Sequence, residues 1–371
     1  MSYHISSLRD IDWDGYNAEL RKTKSFNGDS SLKDEVEQEI RHFCPGKNFF
    51  FVNSGTAALE LALMSLKLDE EDEVILPSFT FTSCANAIIR AGAKPVFANI
   101  DAKCLHLSLE SVMQVFSAKT KCIMVVEYGG IRANLNEIYE FCKKHKLVLL
   151  LASAQTFGTS QSKDNHSKLA DFVCYSFHDT KVFSCGEGGL LIVNNLKYLN
   201  RAVIMFEKGT NRLEFIEGKT GKYSWKDIGS SFIMSNVNLL LLKFQIRIRV
   251  NILKKKYDAI EVYENFFGLS TSYFFVQRSD HSTCSNGHIY WLILPNTKNK
   301  KQLQNHLSAH GIETVSHYVP LHCSEFAKKS NFRHDKNMAN TFAAGECLLR
   351  LPVISPNASK KVVKAIERFN A

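Results

Sequence analysis

The sequence lacks the long apolar runs that a membrane protein needs. No stretch reaches the length of a membrane span, and residues 1–22 are charged throughout, without the apolar segment of a secretory signal. We therefore expect a cytoplasmic protein that has no membrane partner.

Cysteines paired at metal-ligand spacing are also missing, although the chain has ten cysteines. They are scattered through predicted strands and helices, as Cys122, Cys142 and Cys174 show, so reduced and mostly buried thiols are expected and no metal is predicted. The formal charge of +9 suits an anionic ligand such as a nucleotide diphosphate. Because the basic residues form no arm or stripe, nucleic-acid binding is not expected.

The hydrophobic pattern predicts an α/β protein. A chain of 371 residues with 45% hydrophobic content can form one large domain, expected at 1–245, and a small α+β domain, expected at 246–371. Apolar strands that alternate with helices before Lys181 are typical of a largely parallel sheet covered on both faces. In the C-terminal part we predict one long helix over 236–268, with LKKKYD (253–258) as a solvated face, and a strand at ETVSHYVPLH (313–322).

A lysine, Lys181, lies in the polar loop SFHDTK (176–181) between two predicted strands, and the glycine turn GEGG (186–189) follows it. Burial disfavours the ammonium form, so a lysine at the end of a buried strand should have a lowered pKa, as a Schiff-base lysine requires. Most lysines are merely solvated surface residues, and this loop alone does not decide between the two interpretations.

A second chemical signal is NSGT (53–56), which follows a buried strand and opens an apolar helix. Such an arrangement aims the free amides of a helix N-terminus at a ligand above the strand and favours phosphate. A simple Ser/Thr N-cap is the alternative. Ligands in parallel sheets collect at the carboxyl ends of the strands, where NSGT, PSFTF (77–81), EYGG (127–130), ASAQ (152–155) and SFHDTK all fall.

These motifs, together with KGTNR (208–212) and DIGSS (227–231), closely resemble the DegT/StrS-type sugar-nucleotide aminotransferases, especially the dTDP-4-oxo-6-deoxy-D-glucose aminotransferases. The resemblance covers nearly the whole chain. It implies an aspartate aminotransferase-like (fold-type I) enzyme with pyridoxal 5'-phosphate (PLP) as cofactor. It also implies amino transfer from an amino acid, usually glutamate, to the C4 ketone of a nucleotide-linked sugar. The implied setting is surface-polysaccharide synthesis, such as that of an O antigen, and the implied assembly is a homodimer with shared active sites.

The resemblance assigns roles to individual residues. Lys181 is the expected catalytic residue, which holds PLP as an imine and moves the α-proton as general acid and base. Phe81 is expected to cover one face of the cofactor ring. The expected cofactor-binding residues are Ser54, Gly55, Thr56, Phe81, Gln155, Ser176 and, from the partner subunit, Ser231. The expected substrate-binding residues are Glu127, Lys208, Arg212, His317, Tyr318 and His322, of which the last three could equally be structural.

Three departures from the family pattern concern the cofactor. ASAQ replaces a DAAQ-like motif, so Ala152 stands where an aspartate pairs with the pyridinium nitrogen and makes PLP an electron sink. Ser153, one residue further along the strand, should face the opposite side of the sheet. Glu127 stands where the family has a histidine, and Val182 replaces an asparagine that often follows the lysine.

These departures leave two main hypotheses. In the first, the chain is an aminotransferase in which water, Glu127 or another group supports the ring nitrogen. In the second, it is a non-catalytic homologue that binds a sugar nucleotide or acts as a partner subunit. Lys181, the GEGG turn and the predicted phosphate site at NSGT (53–56) favour the first hypothesis, and Ala152 favours the second. A PLP-dependent sugar dehydratase is less expected, because such relatives replace the lysine with histidine.

Overall fold

The computed structural model describes residues 7–28, 31–44, 46–159, 166–269, 275, 277–281 and 284–370. Short helices precede the first strand. They are a 3-10 turn (Ser7–Asp10), α1 (Trp13–Lys22) and α2 (Ser31–Arg41).

The main sheet has seven strands in the order β1-β7-β6-β5-β4-β2-β3. Strands β2 to β6 run parallel to one another, whereas β7 runs antiparallel to both β1 and β6. The strands are β1 (Asn48–Val52), β2 (Glu73–Pro77), β3 (Lys94–Ala98), β4 (Thr120–Val126), β5 (Val148–Ala152), β6 (Phe172–Ser176) and β7 (Gly189–Val193). The predicted α/β architecture with a mainly parallel central sheet is confirmed.

Helices cover both faces of this sheet, because alternate residues of each strand point to opposite sides. In β4, for example, Cys122 and Met124 pack on one side with the helices at 55–64, 82–90 and 199–206. Ile123 and Val125 pack on the other side with the helices at 31–41, 109–115, 136–145 and 236–247. The helices between the strands and after them are α3 (Gly55–Met64), α4 (Thr82–Arg90), α5 (Leu109–Val115), α6 (Asn136–His145), α7 (His166–Leu169), a 3-10 turn (Leu196–Tyr198), α8 (Leu199–Phe206) and α9 (Arg212–Ile216).

The C-terminal part contains an antiparallel sheet in the order β10-β9-β8, covered by helices. Its core includes residues of the helices at 249–269, 297–309 and 356–370, so it forms the expected α+β layer. The elements are α10 (Asn236–Arg247), α11 (Arg249–Leu269), β8 (Gln277–Arg278), β9 (Tyr290–Ile293), α12 (Thr297–Ala309), a 3-10 turn (Leu321–Cys323), α13 (Glu325–Ser330), α14 (Ala339–Cys347), β10 (Leu348–Leu351) and α15 (Pro356–Asn370).

Two sequence predictions about this part are wrong. The single helix over 236–268 is two helices, which meet at Ile248. The strand predicted at 313–322 is absent, because only Val315 forms an isolated bridge, to Arg350. Pro320 has no N–H to donate to a ladder, and the chain turns into a 3-10 helix directly after it.

A shared apolar cluster joins the two sheets. It contains Phe79 and Tyr128 beside the main sheet and Trp291 and Ile293 of β9. The domain boundary at residue 245 stays a prediction, since residues from beyond it, such as Leu321, also pack into the core of the main sheet. Within the described residues, no helix is long and apolar enough to cross a membrane, and no group of three or more potential metal ligands is present.

Candidate active site

A cavity of about 630 Å³ lies at the carboxyl ends of the parallel strands and is closed by residues of the C-terminal part. It brings together most of the residues that the sequence singles out. The predicted site residues that line it are Ser54, Gly55, Thr56, Phe81, Glu127, Gln155, Ser176, Lys181, His317 and Tyr318.

Lys181 lies in the loop that follows β6. The loop is held at its base, where the N–H of Phe177 donates to the Gly188 carbonyl and the N–H of Cys185 donates to the Phe177 carbonyl. The Lys181 side chain lines the cavity and is half-buried. Burial, and after it the charge of Arg350, lowers the pKa of the Lys181 amine to about 8. A much larger fraction of this amine is therefore neutral near pH 7.5 than of a surface lysine.

The N-terminus of α3 forms the second part of the site. The Ser54 hydroxyl caps the helix by accepting the N–H of Ala57 at 3.0 Å, and the Thr56 hydroxyl lies 2.8 Å from that of Ser83. The first amides of a helix have no acceptor within the helix and carry a partial positive charge. This end of α3 can therefore hold a phosphate group.

Two glycines allow the α3 N-terminus to lie directly against β6 and β7. A Cβ atom on Gly55 would lie only 2.6 Å from the Cβ of Ser176, and one on Gly189 would lie 2.4 Å from the Ser54 carbonyl oxygen. Ser176 and Gly189 are paired between the two strands. This close contact places the Ser176 hydroxyl beside the N-terminus of α3, so the hydroxyl and the first amides of the helix can bind one anion together.

Aromatic and amide side chains form a further wall. Phe81 lies directly before α4 and is 58% exposed to the cavity and solvent, and its ring centre is 6.4 Å from that of Tyr318. The Gln155 side chain accepts the N–H of Gly129 at 2.7 Å and donates to the Tyr318 hydroxyl at 3.4 Å. An exposed flat ring beside a polar amide suits a planar heteroaromatic ligand.

Ala152 lies at the end of β5, between Val126 and Cys174, and lines the cavity. The nearby side chains of Cys84 and Cys174 are neutral thiols, because burial raises the pKa of Cys84 to about 11 and raises that of Cys174 well above its usual value. No carboxylate stands at position 152, so the structure supplies no acid there for a ring nitrogen.

Glu127 contributes to the cavity wall, but both of its carboxylate oxygens already accept hydrogen bonds. Oε1 accepts the N–H of Ala133 at 3.1 Å, and Oε2 accepts the hydroxyls of Ser153 and Thr156. The Ser153 side chain is fully buried in this network and does not line the cavity, which agrees with its expected orientation. Glu127 thus serves a buried polar network through both of its carboxylate oxygens.

His317 and Tyr318 lie at the C-terminal side of the cavity, with their rings stacked at 4.1 Å. His317 Nδ1 is 3.1 Å from the Tyr128 hydroxyl, and its Nε2 contacts the Arg350 guanidinium. Burial and the Arg350 charge lower the pKa of His317 to about 2, so this imidazole is neutral at physiological pH. Burial raises the pKa of Tyr318 to about 12.

Four predicted residues do not line the cavity of this chain. Ser231 and Lys208 are exposed, and Arg212 forms an ion pair of 3.4 Å with Glu207. His322 is buried beside Ser78, whose hydroxyl lies 2.6 Å from Nδ1. His322 therefore has a structural environment, whereas the other three residues belong to an exposed segment beside the site.

The sequence analysis missed several cavity residues, among them the basic residues Lys256, His288 and Arg350. Lys256 was predicted to be solvated, but its ammonium donates to the Val353 carbonyl at 2.6 Å inside the cavity. Helical spacing could have revealed this position, because Lys256 lies four residues from both Ile252 and Ile260, which are buried. His288 and Arg350 carried no comparable signal.

Comparisons with known proteins agree with this geometry. The profile of the DegT/DnrJ/EryC1/StrS aminotransferase family matches residues 17–369. The chain is 30% identical over 261 residues to GDP-perosamine synthase of Vibrio cholerae, which covers 70% of this chain and 67% of that protein. It is 27% identical over 277 residues to dTDP-4-dehydro-2,3,6-trideoxy-D-glucose 4-aminotransferase of Saccharopolyspora spinosa, with 73% and 72% of the two chains covered. A solved structure, a putative sugar aminotransferase from Streptococcus pneumoniae in its PMP form, has the same fold, with a TM-score of 0.89, 21% identity, and 99% and 98% of the chains covered.

Proposed function

Because the chain belongs to the DegT/DnrJ/EryC1/StrS aminotransferase family, we propose that it aminates a nucleotide-linked 4-keto-6-deoxyhexose. Its cofactor is PLP, and the expected amino donor is glutamate. A dTDP-sugar is the expected acceptor, and a GDP-sugar is tested beside it because both nucleotides occur in the names of the relatives. A cytoplasmic role in surface-polysaccharide synthesis, such as that of an O antigen, is part of the same proposal.

The observation that carries this proposal is the shared cavity of Lys181 and the α3 N-terminus. A lysine that burial holds near its neutral form can react with an aldehyde, and a phosphate-binding helix end lies in the same cavity. PLP carries both an aldehyde and a phosphate group. If α3 were merely capped by Ser54, or if Lys181 were an ordinary surface lysine, the two would not need to lie in the same cavity.

The residues present fit the cofactor at both of its ends. Ser54, Gly55, Thr56 and Ser176 would hold the phosphate, since Gly55 leaves room for no side chain between the helix and Ser176. Phe81 would cover one face of the ring, while Gln155 would contact its polar edge. When bound, PLP supplies an electron-withdrawing ring that stabilises negative charge on the carbon of the donor that bears the amino group.

Lys181 has a second role in this proposal. Once the donor has displaced it, its amine is free to accept a proton from the donor carbon and later return one to the acceptor sugar. A pKa of about 8 suits both directions of transfer, because general acid–base catalysis is most efficient when the pKa lies near the working pH.

We also propose a homodimer in which Ser231 of one subunit reaches the cofactor phosphate of the other. Ser231 and Lys208 are exposed beside the site, within a segment that is unusually apolar at its surface. Its large exposed side chains are Leu213, Phe215, Ile216, Tyr223, Trp225 and Ile228. Contiguous apolar residues of this kind are typical of a subunit interface.

Ala152 favours one other candidate function, which is the binding of a sugar nucleotide without transamination. In that case Lys181→Ala would leave the affinity for a dTDP-sugar unchanged, and the wild type would form no amino sugar. Calorimetric titration of the wild type and of Lys181→Ala with the dTDP-sugar measures the two affinities.

Incubation of the PLP-loaded protein with glutamate and a dTDP- or GDP-linked 4-keto-6-deoxyhexose tests the main proposal. The expected product is the nucleotide-linked amino sugar, detected by mass spectrometry, and Lys181→Ala is the control that should form none. A wild-type protein that binds PLP yet aminates neither sugar would contradict the proposal.

A further inference from the structure

Part of the cavity wall is cationic and is not used by the proposed cofactor site. We call Lys256, His288 and Arg350 the cationic wall. Lys256 lies on α11, His288 precedes β9, and Arg350 lies on β10, so all three come from the C-terminal part of the chain. The proposed phosphate site of the cofactor, in contrast, belongs to the main sheet and to α3.

Lys256 differs from its neighbours on the same helix. Lys254 forms an ion pair with Asp258 and Lys255 forms one with Asp10, both at the surface. Lys256 instead donates to the Val353 carbonyl, and among the described residues no acid pairs with it. An ammonium group removed from water without a carboxylate is unfavourable, and an anionic ligand would compensate this charge.

The charged side chains that influence His288 are positive. Burial is the main cause that lowers the pKa of His288 well below its usual value, and the positive charges of Lys181, Arg350 and Lys256 lower it further. The imidazole of His288 is thus neutral and can donate one hydrogen bond to a ligand. The acids among the described lining residues are Glu127, which accepts hydrogen bonds from Ala133, Ser153 and Thr156, and the exposed Glu187, which lies 3.5 Å from His178.

We propose that the cationic wall binds a carboxylate of the amino-acid donor. This inference rests on the proposed aminotransferase function and adds the residues that select the donor. A carboxylate with its planar pair of oxygens suits a guanidinium, an ammonium and an imidazole donor.

Proximity to Lys181 favours the donor carboxylate over the diphosphate of the sugar nucleotide. Arg350 is close enough to Lys181 for its charge to lower the pKa of that amine. In an amino acid, the carboxylate is attached to the carbon that carries the reacting amine. In the sugar nucleotide, the diphosphate is separated from C4 by the width of the sugar ring. Of these two oxyanions, the donor carboxylate is therefore the one expected beside Arg350 and Lys181.

The test uses glutarate, a dicarboxylate without an amine, and dTDP as separate calorimetric probes of the PLP-loaded protein. Lys256→Gln should weaken glutarate binding by about tenfold or more, the effect of one lost charge-assisted hydrogen bond. It should leave dTDP affinity unchanged. The control Lys254→Gln, on the exposed side of the same helix, should change neither affinity. In turnover, Lys256→Gln should raise KM for glutamate and not KM for the sugar nucleotide.

The outcomes separate this inference from the proposed function. Unchanged glutarate affinity in both Lys256→Gln and a second variant, Arg350→Gln, would overturn it, and so would a selective loss of dTDP binding. If Lys256→Gln does not fold, Arg350→Gln alone decides, with the same expected loss. The PLP absorbance of each protein is recorded in parallel. A wild type that binds glutarate through Lys256 but takes up no PLP would refute the aminotransferase and leave the anion site standing.

Discussion

Replacement of Gly55 by alanine should disturb the phosphate cup, which is the proposed phosphate site formed by Ser54, Gly55, Thr56 and Ser176. The new Cβ would lie 2.6 Å from Ser176 Cβ and 3.0 Å from its Oγ, far inside ordinary contact distance. Overpacking of this kind costs about 1–3 kcal/mol, and the better helix propensity of alanine offsets at most about 1 kcal/mol. We expect a net loss of roughly 1–2 kcal/mol in the free energy of unfolding.

PLP binding should suffer as well, because α3 must move away from β6 to relieve the contact. The loss of a single good hydrogen bond to the phosphate lowers the affinity for PLP by about tenfold or more. Urea unfolding measures the stability, and an absorbance titration measures the affinity. The matched control is Gly221→Ala, where nothing lies within 4 Å of the new Cβ.

The double variant Gly55→Ala with Ser176→Gly removes the two closest atoms. It should recover part of the stability but not the affinity, since the Ser176 hydroxyl is lost with the contact. If Gly55→Ala matches the Gly221→Ala control in both stability and PLP affinity, the cup as described is wrong.

Three further predictions concern the amine of Lys181, the ring nitrogen of the cofactor and the proposed dimer interface. The neutral amine of Lys181 is the nucleophile, and its pKa is about 8. The rate of PLP uptake, measured by stopped-flow absorbance, should therefore rise from about pH 7 to pH 9 and then level off. A rate that does not change with pH would contradict this. Ala152→Asp should raise the transfer rate if ring-nitrogen protonation is limiting, and no gain in a folded, PLP-bound variant would place the deficit elsewhere. Trp225, which is 82% exposed, lies on the proposed interface, so Trp225→Glu should shift a dimer toward monomer in analytical ultracentrifugation, whereas an unchanged dimer would exclude this surface.

Local sequence patterns were sufficient to predict the main sheet, the NSGT turn (53–56) and the loop that carries Lys181. The apolar strands before Lys181 are buried on both faces, and their continuous hydrophobic runs carry that information directly. The cup was predictable because a strand, a Ser-Gly-Thr turn and an apolar helix follow one another within residues 48–64.

Contacts between distant segments could not be read from such patterns. The segment with His317 and Tyr318 alternates like a strand, yet its side chains pack against Tyr128 and Phe79 instead of pairing along a ladder. The partners of Glu127 lie up to 29 residues away, at Thr156, and nothing in its own motif indicates them. Arg350 reaches the cavity only because β10 pairs with β9.

The most direct test of the account is borohydride reduction of the PLP-treated protein, followed by peptide mapping with mass spectrometry. We expect a stable pyridoxyl phosphate adduct on Lys181 alone and none on the neighbouring cavity amine of Lys256. No adduct, or an adduct confined to another lysine, would contradict the assignment of this cavity as a PLP site.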